Sequence, residues 1–132
     1  MITFDTHTFI WWVSNPEKLS DKAIKTIDKE LKREGEILVS SISVWEIYML
    51  VKKGRLKLIM DVDVWFEKIE KLGSLQFVPV DNKIAAKSVM LPEPFHKDPA
   101  DRIIIATSLL HGAPLVTSDR RILNYLHAQS IW

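Results

Sequence analysis

A chain of 132 residues can enclose one hydrophobic core but not two, so residues 1–132 are expected to form a single domain. Its hydrophobic fraction of 47% and charged fraction of 27% place it with ordinary globular proteins, away from disordered chains. A formal net charge of +1 excludes a uniformly basic nucleic-acid-binding surface, so any such surface must be local. The absence of cysteine excludes disulfides, a thiolate zinc site and a cysteine nucleophile, and suits a reducing cytoplasm.

The opening Met1-Ile2-Thr3-Phe4-Asp5 has no basic region ahead of an apolar one, so a signal peptide is not expected. Met1–Phe4 instead suits a short buried strand. A helix from about Thr6 would carry Phe9, Ile10 and Val13 inward and stop at Asn15-Pro16. Ser20 can cap a second helix, in which Ala23, Ile24, Ile27 and Leu31 recur at helical spacing up to Gly35.

Glu36–Ser40 reads as a second buried strand. Ser43 then opens a helix that runs through Val51 and closes at Lys52-Lys53-Gly54. A helix over 62–72, a strand over 75–80, a short helix over 82–90 and a loop at Leu91-Pro92-Glu93-Pro94 follow. Asp98 begins the best-defined helix, with Ile104, Ile105, Leu109 and Leu110 on its buried side and Gly112 as its stop. Pro114–Thr117 reads as a strand, Arg120–Leu126 as a last helix and Ser130–Trp132 as an edge strand. Strands separated by helices imply a central parallel sheet with right-handed crossovers, an α/β/α sandwich. In such folds ligands collect beyond the carboxyl ends of the strands.

Four carboxylates fall in that kind of place. Asp5 follows the first strand, Glu46 lies in the first turn of the helix opened by Ser43, Asp101 in the first turn after Asp98-Pro99, and Asp119 just after Leu115-Val116-Thr117. Each alone is explained by helix capping: Ser43 and Glu46 fit a capping box, Asp98 and Pro99 fit an N-cap and first helical position, and Asp5 and Asp119 fit simple caps. Together they would repel one another and raise at least one pKa unless a cation were present. Oxygen donors with no cysteine or histidine pattern suit magnesium or manganese rather than zinc. One or two such ions could activate water against a phosphodiester.

The residues also carry a family resemblance. Phe4-Asp5-Thr6-His7-Thr8-Phe9-Ile10-Trp11-Trp12 with Pro16-Glu17-Lys18-Leu19-Ser20, then Ser40-Ser41-Ile42-Ser43-Val44-Trp45-Glu46-Ile47, His96-Lys97-Asp98-Pro99-Ala100-Asp101-Arg102 and Leu115-Val116-Thr117-Ser118-Asp119 resemble, in order, the four motifs of PIN-domain toxins of the VapC group. The resemblance covers essentially the whole chain. It implies a PIN-like α/β/α sandwich, Mg2+- or Mn2+-dependent endoribonuclease activity, and a toxin role beside a cognate antitoxin protein, with homodimer formation usual. By matching position, it implies that Asp5, Glu46, Asp101 and Asp119 form the catalytic acidic site. Asp5 and Asp101 would bind metal directly, and Glu46 and Asp119 would do so directly, through water, or by orienting the attacking water.

Other residues admit two roles. Thr6, Asp98, Thr117 and Ser118 could assist at a metal-bound water or phosphate, or satisfy backbone groups at strand and helix ends. Lys52, Lys53, Arg55, Arg102 and Arg120 (with Lys57 and Arg121) could contact RNA phosphates, or be solvated helix ends and ion pairs. The four histidines form no ligand pattern, and helix geometry is expected to turn His7 aside. The tryptophans Trp11, Trp12, Trp45 and Trp65 suit a core or a subunit contact.

Two competing functions are weighed against the ribonuclease. A phosphatase or receiver-type phosphoryl-transfer protein on a parallel sheet would want a second acidic residue beside Asp5, where Thr6 and His7 stand. A non-catalytic binding module would use the carboxylates only as caps. In that case neutralising Asp5 or Asp101 lowers stability slightly, whereas a metal cluster predicts a gain in the metal-free protein.

Overall fold

The computed structural model describes residues 1–132. Five parallel strands, β1 (Ile2–Phe4), β2 (Ile37–Ser40), β3 (Leu75–Val78), β4 (Leu115–Val116) and β5 (Ser130–Ile131), form one sheet in the order β3-β2-β1-β4-β5. The helices between them are α1 (Thr6–Ser14), α2 (Asp21–Lys32), α3 (Ser41–Lys52), α4 (Val62–Glu70), α5 (Asn82–Val89), α6 (Pro99–His111) and the single turn α7 (Arg120–Leu123). This is the expected α/β/α sandwich.

Successive side chains of a strand point to opposite faces, and the sequence uses both. Ile2, Phe4, Ile37, Val39 and Val116 enter a core with Phe9, Ile27, Ile47, Trp65 and Phe66 from α1 to α4. On the other face Leu38 packs with Ile84 and Ala106, and Leu115 with Ile104, Ile105 and Ile122, so α5, α6 and α7 form the second helical layer. Strands buried on both faces read as continuous apolar runs, which is why β1, β2 and β4 were legible.

Phe9 is the centre of the larger core. Its side chain has no exposed area, and its ring meets Trp65 edge-on at 5.4 Å and Phe77 at 6.0 Å. Phe9→Ala should cost about 3–5 kcal/mol, measured as a fall in the urea midpoint at unchanged slope. A loss under about 1 kcal/mol would mean the aromatic cluster can close around the void.

The strands run from β1 outward to β3 on one side, and then from β4 to β5 on the other. The chain therefore reverses direction across the sheet between β1 and β4, which opens a crevice beyond their carboxyl ends.

Several boundaries differ from the sequence expectation. The helix after β2 begins at Ser41, not Ser43, because the Ser40 hydroxyl already accepts the Ile42 N–H at 3.2 Å. Glu46 is consequently in the second turn and makes no capping box. The second helix stops at Lys32, and Glu34 takes a left-handed φ of 55°. Gly35 follows because a Cβ there would lie 1.8 Å from the buried Glu30 carboxylate. Ile24 and Leu110 lie at the edges of their helical stripes, 37% and 46% exposed, rather than inward. The last helix ends at Leu123, three residues short of Leu126.

Candidate active site

All four candidate carboxylates line one cleft of about 310 Å3, together with Thr6, His7, Trp11, Asp98, Ser118 and Arg121. The β1–β4 crevice explains the convergence. Asp5 leaves β1, Asp119 leaves β4, and the neighbouring strand β2 feeds α3, whose second turn carries Glu46. Asp101 arrives from the far layer, at the N-terminus of α6.

Asp5 is 7% exposed and is held twice. Its Oδ1 accepts the Thr8 N–H at 2.8 Å, which caps α1, and its Oδ2 accepts the Thr117 hydroxyl from across the crevice. Burial pushes its pKa up, and the Thr117 bond offsets only part of this. Thr117 Oγ1 also accepts the Asp119 N–H at 3.0 Å, so one hydroxyl ties two of the acidic positions together. Glu46 Oε1 accepts the Thr6 hydroxyl at 2.5 Å, and Thr6 Oγ1 lies 2.9 Å from the buried Ser43 hydroxyl. Desolvation raises the Glu46 pKa against that hydrogen bond, with Asp98 adding like charge.

Asp101 is also strongly perturbed. Burial, followed by the like charges of Asp98, Asp119 and Glu46, raises it from 3.8 to about 7, and Arg121 opposes only weakly. Arg121 hydrogen-bonds Asp119 at 3.0 Å and lies 3.7 Å from Asp101. Its hydrogen bond holds Asp119 below the usual carboxylate range. Burial and like charge thus raise Asp5, Glu46 and Asp101, while Arg121 lowers Asp119, so carboxylates of one cleft sit in unlike environments.

The residue types are hard oxygen donors, as a magnesium or manganese site needs, and the mutual repulsion felt by Asp101 is what a cation would relieve. No three of the carboxylates and histidines converge tightly enough to ligate one ion as they stand, with the Arg121 guanidinium lying between Asp119 and Asp101.

A PIN domain profile matches residues 2–126. The chain belongs to the PIN-domain family. Ribonuclease VapC22 of Mycobacterium tuberculosis is 33% identical over 130 residues, 98% of this chain and 95% of the relative. In fold, this PIN domain is similar to a structure of VapBC2 from Rickettsia felis bound to a promoter DNA fragment, with a TM-score of 0.72 at 16% identity, covering 99% of this chain and 98% of that one. It is also similar to DNA-bound VapBC from Salmonella typhimurium, with a TM-score of 0.66 at 17% identity over 99% and 98% of the two chains.

Within this PIN domain the auxiliary candidates divide. Thr6 and Thr117 position carboxylates, and Ser118 lines the cleft. Asp98 both lines it and caps α6, accepting the Ala100 and Asp101 N–H groups at 2.9 and 3.3 Å. The basic candidates lie elsewhere. Lys52, Lys53 and Arg55 are exposed at the far end of α3, and Arg120 is exposed outside the cleft lining. Arg102 donates to the carbonyls of Ser88, Val89 and His96 and to Glu93. It fastens the loop before α6 and is spent there, because five donors in a planar fork match clustered carbonyls.

Two residues escaped the sequence reading. His7 lines the cleft after all, since it sits in the first turn of α1, whose N-terminus is the cleft wall. His96 brings Nε2 to 3.1 Å from Asp101 Oδ2 without an aligned hydrogen bond. Burial, reinforced by Arg121, lowers its pKa and so favours the neutral imidazole. The only signal in the sequence was its place in the His96-Lys97-Asp98-Pro99 run.

Proposed function

We propose that this chain is an endoribonuclease that hydrolyses RNA phosphodiester bonds with Mg2+ or Mn2+, and that it acts as the toxin of a type II toxin–antitoxin pair. One observation carries the reading: carboxylates from four separate segments share a single cleft, where burial and then like charge hold Asp101 up at about 7. The family membership, the ribonuclease at 33% identity and the VapBC complexes among the solved relatives support it.

In this reading Asp5 and Asp101 hold the divalent cation directly, and Glu46 and Asp119 contribute directly or through water. A bound ion would lower the pKa of a water molecule and stabilise charge on the phosphate. The protein's own part is positioning. Thr117 locks Asp5 and Asp119 together, and Thr6 orients Glu46. Arg121 offers a guanidinium to the phosphate once it leaves the carboxylates.

A cognate antitoxin would inhibit by placing a segment beside the acidic cleft. Support comes from an adjoining apolar pocket of about 590 Å3, lined by Ile42, Trp45, Val80 and Pro99 and rimmed by Glu46 and Asp98. Trp45 there is 57% exposed, an unusual position for an indole without a partner. Val89 and Met90, 72% and 77% exposed at the end of α5, support self-association as a homodimer. No helix is long and apolar enough to cross a membrane, and the lack of cysteine supports a cytoplasmic setting.

The test is incubation of antitoxin-free protein with total cellular RNA, with either metal or with chelator, beside Asp101→Asn. Discrete metal-dependent fragments absent from the variant are expected, and end mapping would identify the target. Folded protein that cuts nothing with either metal would overturn the catalytic reading.

A further inference from the structure

We infer that the cavity lined by Phe95, Arg121, Asn124, Tyr125 and His127 is a subsite for one unpaired nucleobase of the RNA, next to the phosphate bound at the acidic cleft. The inference rests on the ribonuclease reading and adds where the substrate's base is held.

Continuity with the cleft is the first argument. Arg121 lines both cavities, and its side chain, 61% exposed, already brings the guanidinium to Asp119 and Asp101. A phosphate meeting that guanidinium would leave its neighbouring base at the mouth of the second cavity. His96 lines the same cavity and reaches Asp101, so the two spaces share a wall.

Shape and chemistry are the second. The cavity measures about 450 Å3, within the range of ordinary ligand sites. Phe95 and Tyr125 pack with centroids 4.6 Å apart, and His127 meets Tyr125 at 5.4 Å. The Tyr125 hydroxyl donates to the Pro92 carbonyl at 2.6 Å, which makes the ring a fixed wall. Tyr125 is only 5% exposed and backs the wall, so stacking falls to the exposed His127 ring, and the exposed Asn124 carboxamide offers both a donor and an acceptor for a base edge. Leu126 at the rim is 94% exposed, apolar surface that a base would cover.

Charge separates this cavity from the pocket around Trp45. The charged residues of that pocket are Glu46 and Asp98, whereas this cavity carries the Arg121 guanidinium, which can pair with the phosphate of the nucleotide whose base it holds. The base therefore belongs on the Arg121 side.

The experiment uses a double variant, Asn124→Ala with His127→Ala, both exposed positions whose truncation should leave the melting temperature unchanged. Cleavage of a randomised RNA pool, sequenced at the new ends, gives the base preference at each position around the cut. In parallel, Asp101→Asn protein with and without the double change is titrated with a short single-stranded RNA and with the same RNA made abasic. The expected result is that the double change flattens the preference at one nucleotide flanking the cut. It should also raise KM about tenfold, more than it lowers kcat, and remove the advantage of the base-bearing RNA. Cleavage with unchanged KM and preference would overturn the subsite, leave the cavity to a protein ligand, and leave the ribonuclease reading standing. Base-dependent binding lost in the double variant, with no cleavage by the wild type, would keep the subsite and sink the catalytic reading. Neither cleavage nor RNA binding would overturn both.

Discussion

Asp101→Asn is expected to abolish metal-dependent RNA cleavage and, at neutral pH, to raise the stability of the metal-free protein. The first effect should be roughly 100-fold or more, the scale on which a lost transition-state contact is felt. The second follows from linkage. The folded protein holds the Asp101 proton until about pH 7, against 3.8 ordinarily, because burial and three like charges penalise the ionised form. Protons are therefore bound more tightly by the folded than by the unfolded state, and this group's stabilising contribution is complete below about pH 4. It is lost as pH rises through 7. A shift of that size corresponds to about 4 kcal/mol undiminished, and partial solvation of the side chain reduces it to about 1–2 kcal/mol. The variant carries no such loss. Melting curves for both proteins should coincide near pH 4, and the variant should melt higher at pH 7.5. Saturating magnesium should restore the wild type, by about 2.7 kcal/mol at one hundred times Kd, and barely move the variant. A variant less stable than wild type at every pH would make Asp101 a helix-dipole residue and nothing more.

Asp5 distinguishes capping from catalysis through two substitutions. Asp5→Asn retains a carbonyl for the Thr8 N–H, now accepted at 2.8 Å, and sets an amide against the Thr117 oxygen, which can accept. Its stability should match or exceed that of the wild type, since burial already disfavours the charge. Asp5→Ala leaves the Thr8 N–H and the Thr117 hydroxyl without their partner and should cost about 1–3 kcal/mol. Activity should fall by about 100-fold or more in both. Retained cleavage in Asp5→Asn would reduce Asp5 to a cap. Equal stability in the two variants would show that the hydrogen bonds contribute nothing, and that the buried hydroxyl of Thr117 is satisfied some other way.

The division between what was legible and what was not follows the range of the interactions. Local patterns determined the elements: apolar runs gave β1, β2 and β4, and Ser20, Asp98-Pro99 and Gly112 gave helix ends, because caps and periodicity act within a few residues. The resemblance of four motifs supplied Asp5, Glu46, Asp101 and Asp119 as one site. Boundaries were missed where a neighbour in space took over a local role. Ser43 looked like a cap, but Ser40 caps α3, and Ser43 is buried beside Thr6.

Tertiary structure alone decided the rest. The order β3-β2-β1-β4-β5 is what places Thr117 against Asp5, 112 positions away, and no periodicity encodes that pairing. Packing of α6 across the second face brings Asp101 under three other carboxylates, and a pKa near 7 arises only from that density of charge and loss of water. Arg120 and Arg121 are indistinguishable as neighbours in sequence. Successive residues in a helical turn point about 100° apart, so one faces solvent and the other joins the cleft to the aromatic cavity.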